Sequence, residues 1–287
     1  MLDYLHVDVF TKQIMNGNGL TIVFDNKKVL SNTQMQSISQ EFKQFETIFL
    51  QKKNPKKFFG RVFTVEEELD FAGHPILGAV ASIHELYFKR INKVEIELIL
   101  NSKTVIALSE RNNDSYYVEM NQGAPEYLGI VPKEENRHIL KHLNLQITNL
   151  YQALPIEIIS TGLPYLLIPL ESGLDRAKII TQEFEKVLYK YRAKFVYIFD
   201  VNSLECRTWD NQGKVEDVAT GSAAGPLCAY LVKHKIKTPD TFFEIYQGKY
   251  VKRPSVIRTK FNTNLDSDPG IIVAGNATIF ATGSINL

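Results

Sequence analysis

The chain has 287 residues, 33 lysines and arginines against 32 aspartates and glutamates, and a net charge of +1. A total so close to neutral offers no basic field for nucleic acid or an anionic membrane surface, and 44% hydrophobic with 23% charged residues is the composition of a globular chain of one large or two ordinary domains. Two cysteines, Cys206 and Cys228, exclude a disulfide scaffold and indicate a reducing, cytoplasmic setting.

Taken in order, Met1-Leu-Asp-Tyr-Leu-His6 alternates as a strand does and lacks the basic and apolar regions of a signal peptide. Residues 3–10 and 20–24 read as strands about the turn Asn16-Gly-Asn-Gly19, a strong hairpin signal. Ser31 opens a helix, with Met35, Ile38 and Phe42 at helical spacing. Phe45–Leu50 is an apolar strand with one embedded acid, Glu46, and Lys52, Lys53, Lys56 and Lys57 surround Asn54-Pro55 in a solvated turn. Arg61-Val-Phe-Thr64 predicts a strand. It leads to Phe71-Ala-Gly-His-Pro-Ile-Leu-Gly-Ala-Val-Ala81, a tight turn that opens a helix of small residues with Pro75 in its first turn.

Strands follow at 93–100, 103–109 and 115–120, then a helix from Pro132 to Leu143. Strands at 155–159 and 165–169 flank Ser160-Thr-Gly-Leu-Pro164, an amphipathic helix covers 174–192, and a short strand covers 195–200. The C-terminal part alternates strands with turns at Gly248, Pro254, Pro269-Gly270 and Gly275. This order predicts an α+β or mixed-sheet α/β fold rather than a doubly wound one. No run of Gly, Ser or charge forms a linker. No G-x-G-x-x-G follows a strand and no phosphate-loop motif occurs, so a nucleotide cofactor is not expected. No apolar run reaches the ~18 residues of a membrane helix.

The helix-opening turn occurs twice. Asp217-Val-Ala-Thr-Gly-Ser-Ala-Ala-Gly-Pro-Leu-Cys-Ala-Tyr-Leu231 again puts a glycine before a polar residue and a run of small ones. Arg61 precedes Gly73 as Arg207 precedes Gly221, with acids between: Glu66, Glu67, Glu68 and Asp70 in one case, Asp210, Glu216 and Asp217 in the other. Two similar halves are expected. Each would bury a helix whose free N–H groups attract an anion such as a carboxylate.

Several side chains could carry chemistry. Glu46 is either a surface residue or, given its apolar neighbours, a buried carboxylate whose proton affinity is raised toward general acid–base use. His74 reads equally as a cap and as a base, and Asp217 as an N-terminal cap of the second helix. Ser222 lacks the G-x-S-x-G elbow and a triad partner, so it is not expected to be a nucleophile. His138 and His142 stand four apart without the further ligands a metal site needs, and no metal is expected.

Glu46-Thr-x-Phe-Leu, Phe71-Ala-Gly-His-Pro-x-Leu-Gly78, Ser160-Thr-Gly-x-Pro-x-Leu, Asp217-x-Ala-Thr-Gly-Ser-Ala223, Gln247-Gly with Arg253-Pro-Ser255, and the Gly-x-Ala-x-x-x-x-x-Gly ending at 283 follow one another through nearly the whole chain. In this the sequence resembles the phenazine-biosynthesis PhzF-like family, similar in fold to diaminopimelate epimerase and proline racemase. The resemblance implies an α+β fold of two pseudo-symmetric lobes, each a curled mixed sheet about a central helix, with the site in the cleft. It places the lobes at 1–123, completed by 277–287, and at 124–276. It also implies a cytoplasmic, cofactor-independent isomerase, a homodimer, acting on a small carboxylated substrate. Glu46 would be the acid–base residue, with His74 and Asp217 catalytic and Gly73, Gly221 and Ser222 binding substrate. The two cysteines of the related epimerases have no counterparts at these helix starts, so a two-cysteine racemase is not expected. The sequence departs from the family pattern at Phe45, where a small hydroxyl residue is usual, and at Gly19 and Val218, where proline is common. A ligand-binding protein without turnover is the alternative, and it would have no use for a buried base.

Overall fold

The computed structural model describes residues 1–70, 72–264 and 270–287. The features expected at Phe71 and Pro269 lie outside the described residues. The chain divides into two compact units, Met1–Asn121 with Ala274–Leu287, and Gln122–Val273.

The first unit contains β1 (Leu2–Val9), β2 (Asn18–Phe24), α1 (Asn32–Phe42), β3 (Glu46–Asn54), β4 (Lys57–Phe63), the two-residue β5 (Glu68–Leu69), α2 (Gly73–Phe88), β6 (Lys93–Ile99), β7 (Thr104–Asn112) and β8 (Ser115–Asn121). Strands run in the order β1-β2-β3-β4-β6-β7-β8 and then the C-terminal strand, Gly270–Ile285, which pairs back on β1. The result is a closed eight-strand barrel. Two strand pairs in it are parallel, β2 with β3 and β4 with β6, because a helix connects each pair.

Local chemistry explains both helices. Ser31 Oγ accepts from the Gln34 amide (3.3 Å) while Gln34 Oε1 accepts from the Ser31 amide (3.0 Å), a reciprocal cap that starts α1 where the sequence places it. The helix α2 is buried from Gly73 to His84 and packs against β1, β2, β3, β6, β7 and β8. Such enclosure demands small residues. A Cβ on Gly78 would lie 2.5 Å from Leu20 Cδ2 and 3.0 Å from Val9 Cγ2, both fully buried. Near its end His84 bonds the Ser109 hydroxyl and the Ile91 carbonyl, each at 2.8 Å; this is a satisfied core histidine whose proton affinity burial lowers.

The second unit contains β9 (Glu126–Ile130), α3 (Asn136–His142), β10 (Glu157–Ser160), β11 (Pro164–Leu170), α4 (Phe184–Lys190), β12 (Phe195–Asp200), β13 (Glu205–Arg207), α5 (Gly221–Lys233), β14 (Phe243–Gln247) and β15 (Ser255–Asn262). Strand order is β9 through β15 in sequence, and β11/β12 and β13/β14 are the parallel pairs, spanned by α4 and α5. α5 is buried from Gly221 to Leu231 and packs on β10, β11 and β15. The class is α+β, each unit a curled mixed sheet about one buried helix.

Two local expectations change. The stretch 174–192 is not one helix: Leu174–Arg176 is a 3-10 turn and only Phe184–Lys190 is α-helical. Between them Ala177 and Ile179 point inward in the alternation of extended chain, and the Lys178 and Ile180 amides bond the Leu143 and His142 carbonyls (3.1 and 2.9 Å). The strand β9 has no reading in the sequence because all five of its residues are exposed, leaving no buried periodicity to detect.

Register makes the duplication explicit. Leu20 pairs with Glu46 where Tyr165 pairs with Phe195, and three residues later Phe49 faces Arg61 as Ile198 faces Arg207. Each arginine forms a two-pronged ion pair with a glutamate ahead of the helix: Arg61 Nε and Nη2 with Glu68 (2.7 and 2.5 Å), Arg207 Nε and Nη2 with Glu216 (2.8 and 2.5 Å). The clasp holds the strand-to-helix loop in both units.

Because Gly78 lies against buried Leu20 and Val9, Gly78→Val is expected to destabilise the first unit by about 1–3 kcal/mol through overpacking. The measurement is the denaturant midpoint, with an unchanged slope.

Candidate active site

Glu46 is the first residue of β3, and the apolar run Ile48-Phe-Leu50 carries it into the barrel, where it is 7% exposed. His74 is the second residue of α2 and is buried. The structure brings the two together, with His74 Nε2 3.2 Å from Glu46 Oε2. The separation is that of an ion pair, yet the angles are not those of a formed hydrogen bond.

The histidine's protonation follows from its surroundings. Complete burial lowers its pKa to about 3, so the ring is neutral at ordinary pH. Asn18 Nδ2 lies 3.4 Å from Nδ1. An amide NH₂ can only donate, so in this orientation Nδ1 accepts and the ring's one proton sits on Nε2, facing Glu46. The Asn18 that sequence reading places in a hairpin turn therefore joins the candidate site; the strand β2 begins on it. Gly73 starts α2 after Ala72, and no side chain caps that start, so the first N–H groups keep their affinity for an anion. Gly19 also has a reason to be glycine: a Cβ there would lie 2.6 Å from Gln44 Oε1 and 3.3 Å from His6 Nε2. Phe45 is half-buried.

In the second unit Asp217, Gly221 and Ser222 gather around the start of α5. Asp217 is not the helix cap that its spacing suggests; the cap position belongs to Thr220. Nor does Thr220 cap: its hydroxyl donates to Asp217 Oδ2 instead, so no side chain caps this helix either. Three buried side chains that sequence reasoning left without a role fix the turn. Gln247 bonds both Asp217 and Thr220, Gln122 Nε2 donates to the Gly221 carbonyl (2.8 Å), and Tyr165 Oη lies 2.7 Å from Ser222 Oγ. Gly225 makes room for Gln122, whose Oε1 would be 2.2 Å from an added Cβ. The motifs Gln247-Gly and Ser160-Thr-Gly were the available signals.

The paired register shows that the duplication stops short of the chemistry. Phe195 occupies in the second unit the place of Glu46, and Ser222 the place of His74. Elsewhere, the His138 and His142 rings are 4.8 Å apart and His142 bonds Thr181 (2.6 Å). Among the described residues no three or more His, Cys, Asp or Glu are grouped to hold a metal, and no helix is long and apolar enough to cross a membrane.

A histidine held near pKa 3 in the folded chain and free to titrate near 6.5 in the unfolded chain has a definite sign. Below pH 6.5 the unfolded chain takes up a proton that the folded chain refuses until about pH 3. Stability is complete above 6.5 and falls with pH across that window, at up to about 1.4 kcal/mol per pH unit. Unfolding free energies at several pH values are expected to show His74→Gln losing about that much slope relative to the native chain between pH 4 and 5.5.

The sequence profile of the family described as "Phenazine biosynthesis-like protein" (PhzC-PhzF) matches residues 7–283. The chain is 30% identical over 301 residues to the trans-2,3-dihydro-3-hydroxyanthranilate isomerase of Pseudomonas chlororaphis, with all of both chains covered. Among solved structures, a predicted epimerase from Pseudomonas aeruginosa matches with a TM-score of 0.93, 39% identity and 99% of each chain covered. A probable proline racemase from Agrobacterium radiobacter shares the fold, with a TM-score of 0.66 at 12% identity, over all of this chain and 93% of the racemase. The buried acid beside a neutral histidine thus stands within a full-length match to isomerases, and the chain belongs to the phenazine biosynthesis-like PhzC-PhzF family of isomerases.

Proposed function

We propose that this isomerase moves a proton within a small carboxylated substrate, with Glu46 as the single acid–base residue and no cofactor. The observation that carries the reading is the Glu46–His74 pair: a buried carboxylate 3.2 Å from Nε2 of a neutral histidine, at a helix start that no side chain caps. In the proposed cycle the Glu46 carboxylate removes a proton from carbon next to an unsaturated system. The electron pair spreads into that system, and the protonated Glu46 returns the proton to another carbon. Nothing is oxidised or reduced. The neutral His74 N–H and the main-chain N–H groups at the helix start donate to the negative charge that develops and stabilise it.

The remaining family positions take supporting roles in this proposal. Gly73 and Gly221 open the helices whose N–H groups hold carboxylate, Ser222 donates a hydroxyl, and Asp217 is the second acidic group. The substrate of the Pseudomonas chlororaphis relative, trans-2,3-dihydro-3-hydroxyanthranilate, has the required features of carboxylate and conjugated ring, and is the first compound to try. Phe45, in place of a small hydroxyl residue beside the base, bears on which such compound fits.

Turnover in D₂O tests the base. With trans-2,3-dihydro-3-hydroxyanthranilate and then a panel of small unsaturated carboxylates, the native chain is expected to place solvent deuterium in the product. Glu46→Gln keeps the side chain's size but cannot accept the proton, and a rate loss of about 10²–10⁴ is expected. Ligand affinity and folding should persist, because the helix starts and His74 are untouched. Unchanged deuterium incorporation by Glu46→Gln would remove Glu46 from the role and move the test to Asp217.

A further inference from the structure

The side chain of Gln247 is 1% exposed and makes a bond from every hydrogen-bonding position it has. Its Oε1 accepts from Tyr197 Oη (2.9 Å) and from the Thr220 main-chain amide (3.1 Å). Its Nε2 donates to the Asp217 main-chain carbonyl (2.9 Å) and to Thr220 Oγ1 (3.0 Å). Two of these partners have no choice of role: a main-chain N–H only donates and a carbonyl only accepts. They fix which end of the Gln247 amide is oxygen and which is nitrogen. Everything downstream is then forced. Tyr197 must donate to Oε1; burial pushes its hydroxyl well above the ordinary range, so it keeps the proton it needs. Thr220 Oγ1 must accept from Nε2, so its own proton has to point elsewhere, and it points to Asp217 Oδ2.

We propose that Gln247 is a positioning residue that sets this direction, so that Thr220 always donates to Asp217 and Oδ2 is held as an acceptor that carries no proton. The inference rests on the reading that Asp217 serves the isomerisation. An arrangement of fixed polarity would confine proton movement at Asp217 to its other oxygen, and would spend on Asp217 the hydroxyl that a threonine at this place ordinarily gives to the helix.

The duplication supplies an internal comparison. Gln247 pairs with Cys206, next to Arg207. In the first unit the residue before the matching Arg61 is Gly60, and the parallel register of Phe59 with Ile99 puts Leu100 in the place of Gln247. Leu100 is buried, with its methyl 3.2 Å from where a Gly60 Cβ would be. The fold therefore accepts an apolar side chain at this point in the unit that has no Asp217, and the glutamine answers to the polar turn and not to the sheet.

Gln247→Glu keeps the shape but cannot donate to Asp217 and Thr220, and Thr220→Val keeps the shape without the hydroxyl. Two readouts are needed. In NMR of the labelled native protein, the Thr220 hydroxyl proton is expected as a slowly exchanging resonance close to the Gln247 amide, and Gln247→Glu is expected to abolish it; a native protein that lacks it overturns the proposal whatever the activity. In turnover of trans-2,3-dihydro-3-hydroxyanthranilate, Gln247→Glu and Thr220→Val are expected to lower kcat by about 10- to 100-fold with KM little changed, as for a misplaced catalytic group, and Thr220→Ser is expected to restore most of the loss. A folded Thr220→Val with native kcat overturns the proposal. If the native chain does not turn the compound over, the functional reading fails for that substrate, and the hydroxyl resonance still decides the hydrogen-bond direction.

Discussion

Each unit depends on seating the first turn of a helix inside its own curled sheet, out of water. A buried helix start leaves main-chain N–H groups without solvent, and an unmet buried donor costs about 1–3 kcal/mol. Here no side chain caps either start. Close approach by the surroundings explains the glycines within the helices: a Cβ on Gly78 would meet Leu20 and Val9, and one on Gly225 would meet Gln122. The same enclosure explains the charge state of His74. Burial is the main reason that its proton affinity falls to about pH 3, and the positive end of α2 acts in the same direction. A neutral ring with its proton on Nε2 can then face the Glu46 carboxylate as a donor.

The two units share a scaffold but not a chemistry. What they share is geometric: a parallel strand pair, an arginine at the matching register and a glutamate gripping it before the helix. Those parts define where the helix starts. What differs sits on the positions that the scaffold merely presents. Glu46 corresponds in register to Phe195, His74 to Ser222, and Leu100 to Gln247. One unit holds a carboxylate–imidazole pair. The other holds a carboxylate whose neighbours are hydroxyls and amides, with Cys206 and Cys228 buried and kept protonated by burial.

Periodicity and turn chemistry carried most of the fold. Residues with a buried face, such as Ile48, Phe49 and Leu50, announce their strand, and Ser31 with Met35, Ile38 and Phe42 at helical spacing announces its helix. The repeated glycine turns and paired arginines declare the duplication. Where a segment has no buried face, as in β9, or alternates like a strand inside an amphipathic stretch, as at Ala177 and Ile179, local pattern misleads, because the deciding bonds come from residues far along the chain such as Leu143 and His142. For the site, the sequence by itself determined the identity of the groups: an acid in an apolar strand, a histidine at a glycine-opened helix, an aspartate before its repeat. Tertiary structure alone decided their relations. Asn18 reads as a turn residue until the fold sets it against a ring 56 positions away, Asp217 reads as a cap until Thr220 takes that place, and Gln247 is a motif residue without a role until two strands and a helix start converge on it. The physical reason is common to all three: a hydrogen bond's direction and a proton's location depend on which partner has no alternative, and those partners are brought together only by the folded chain.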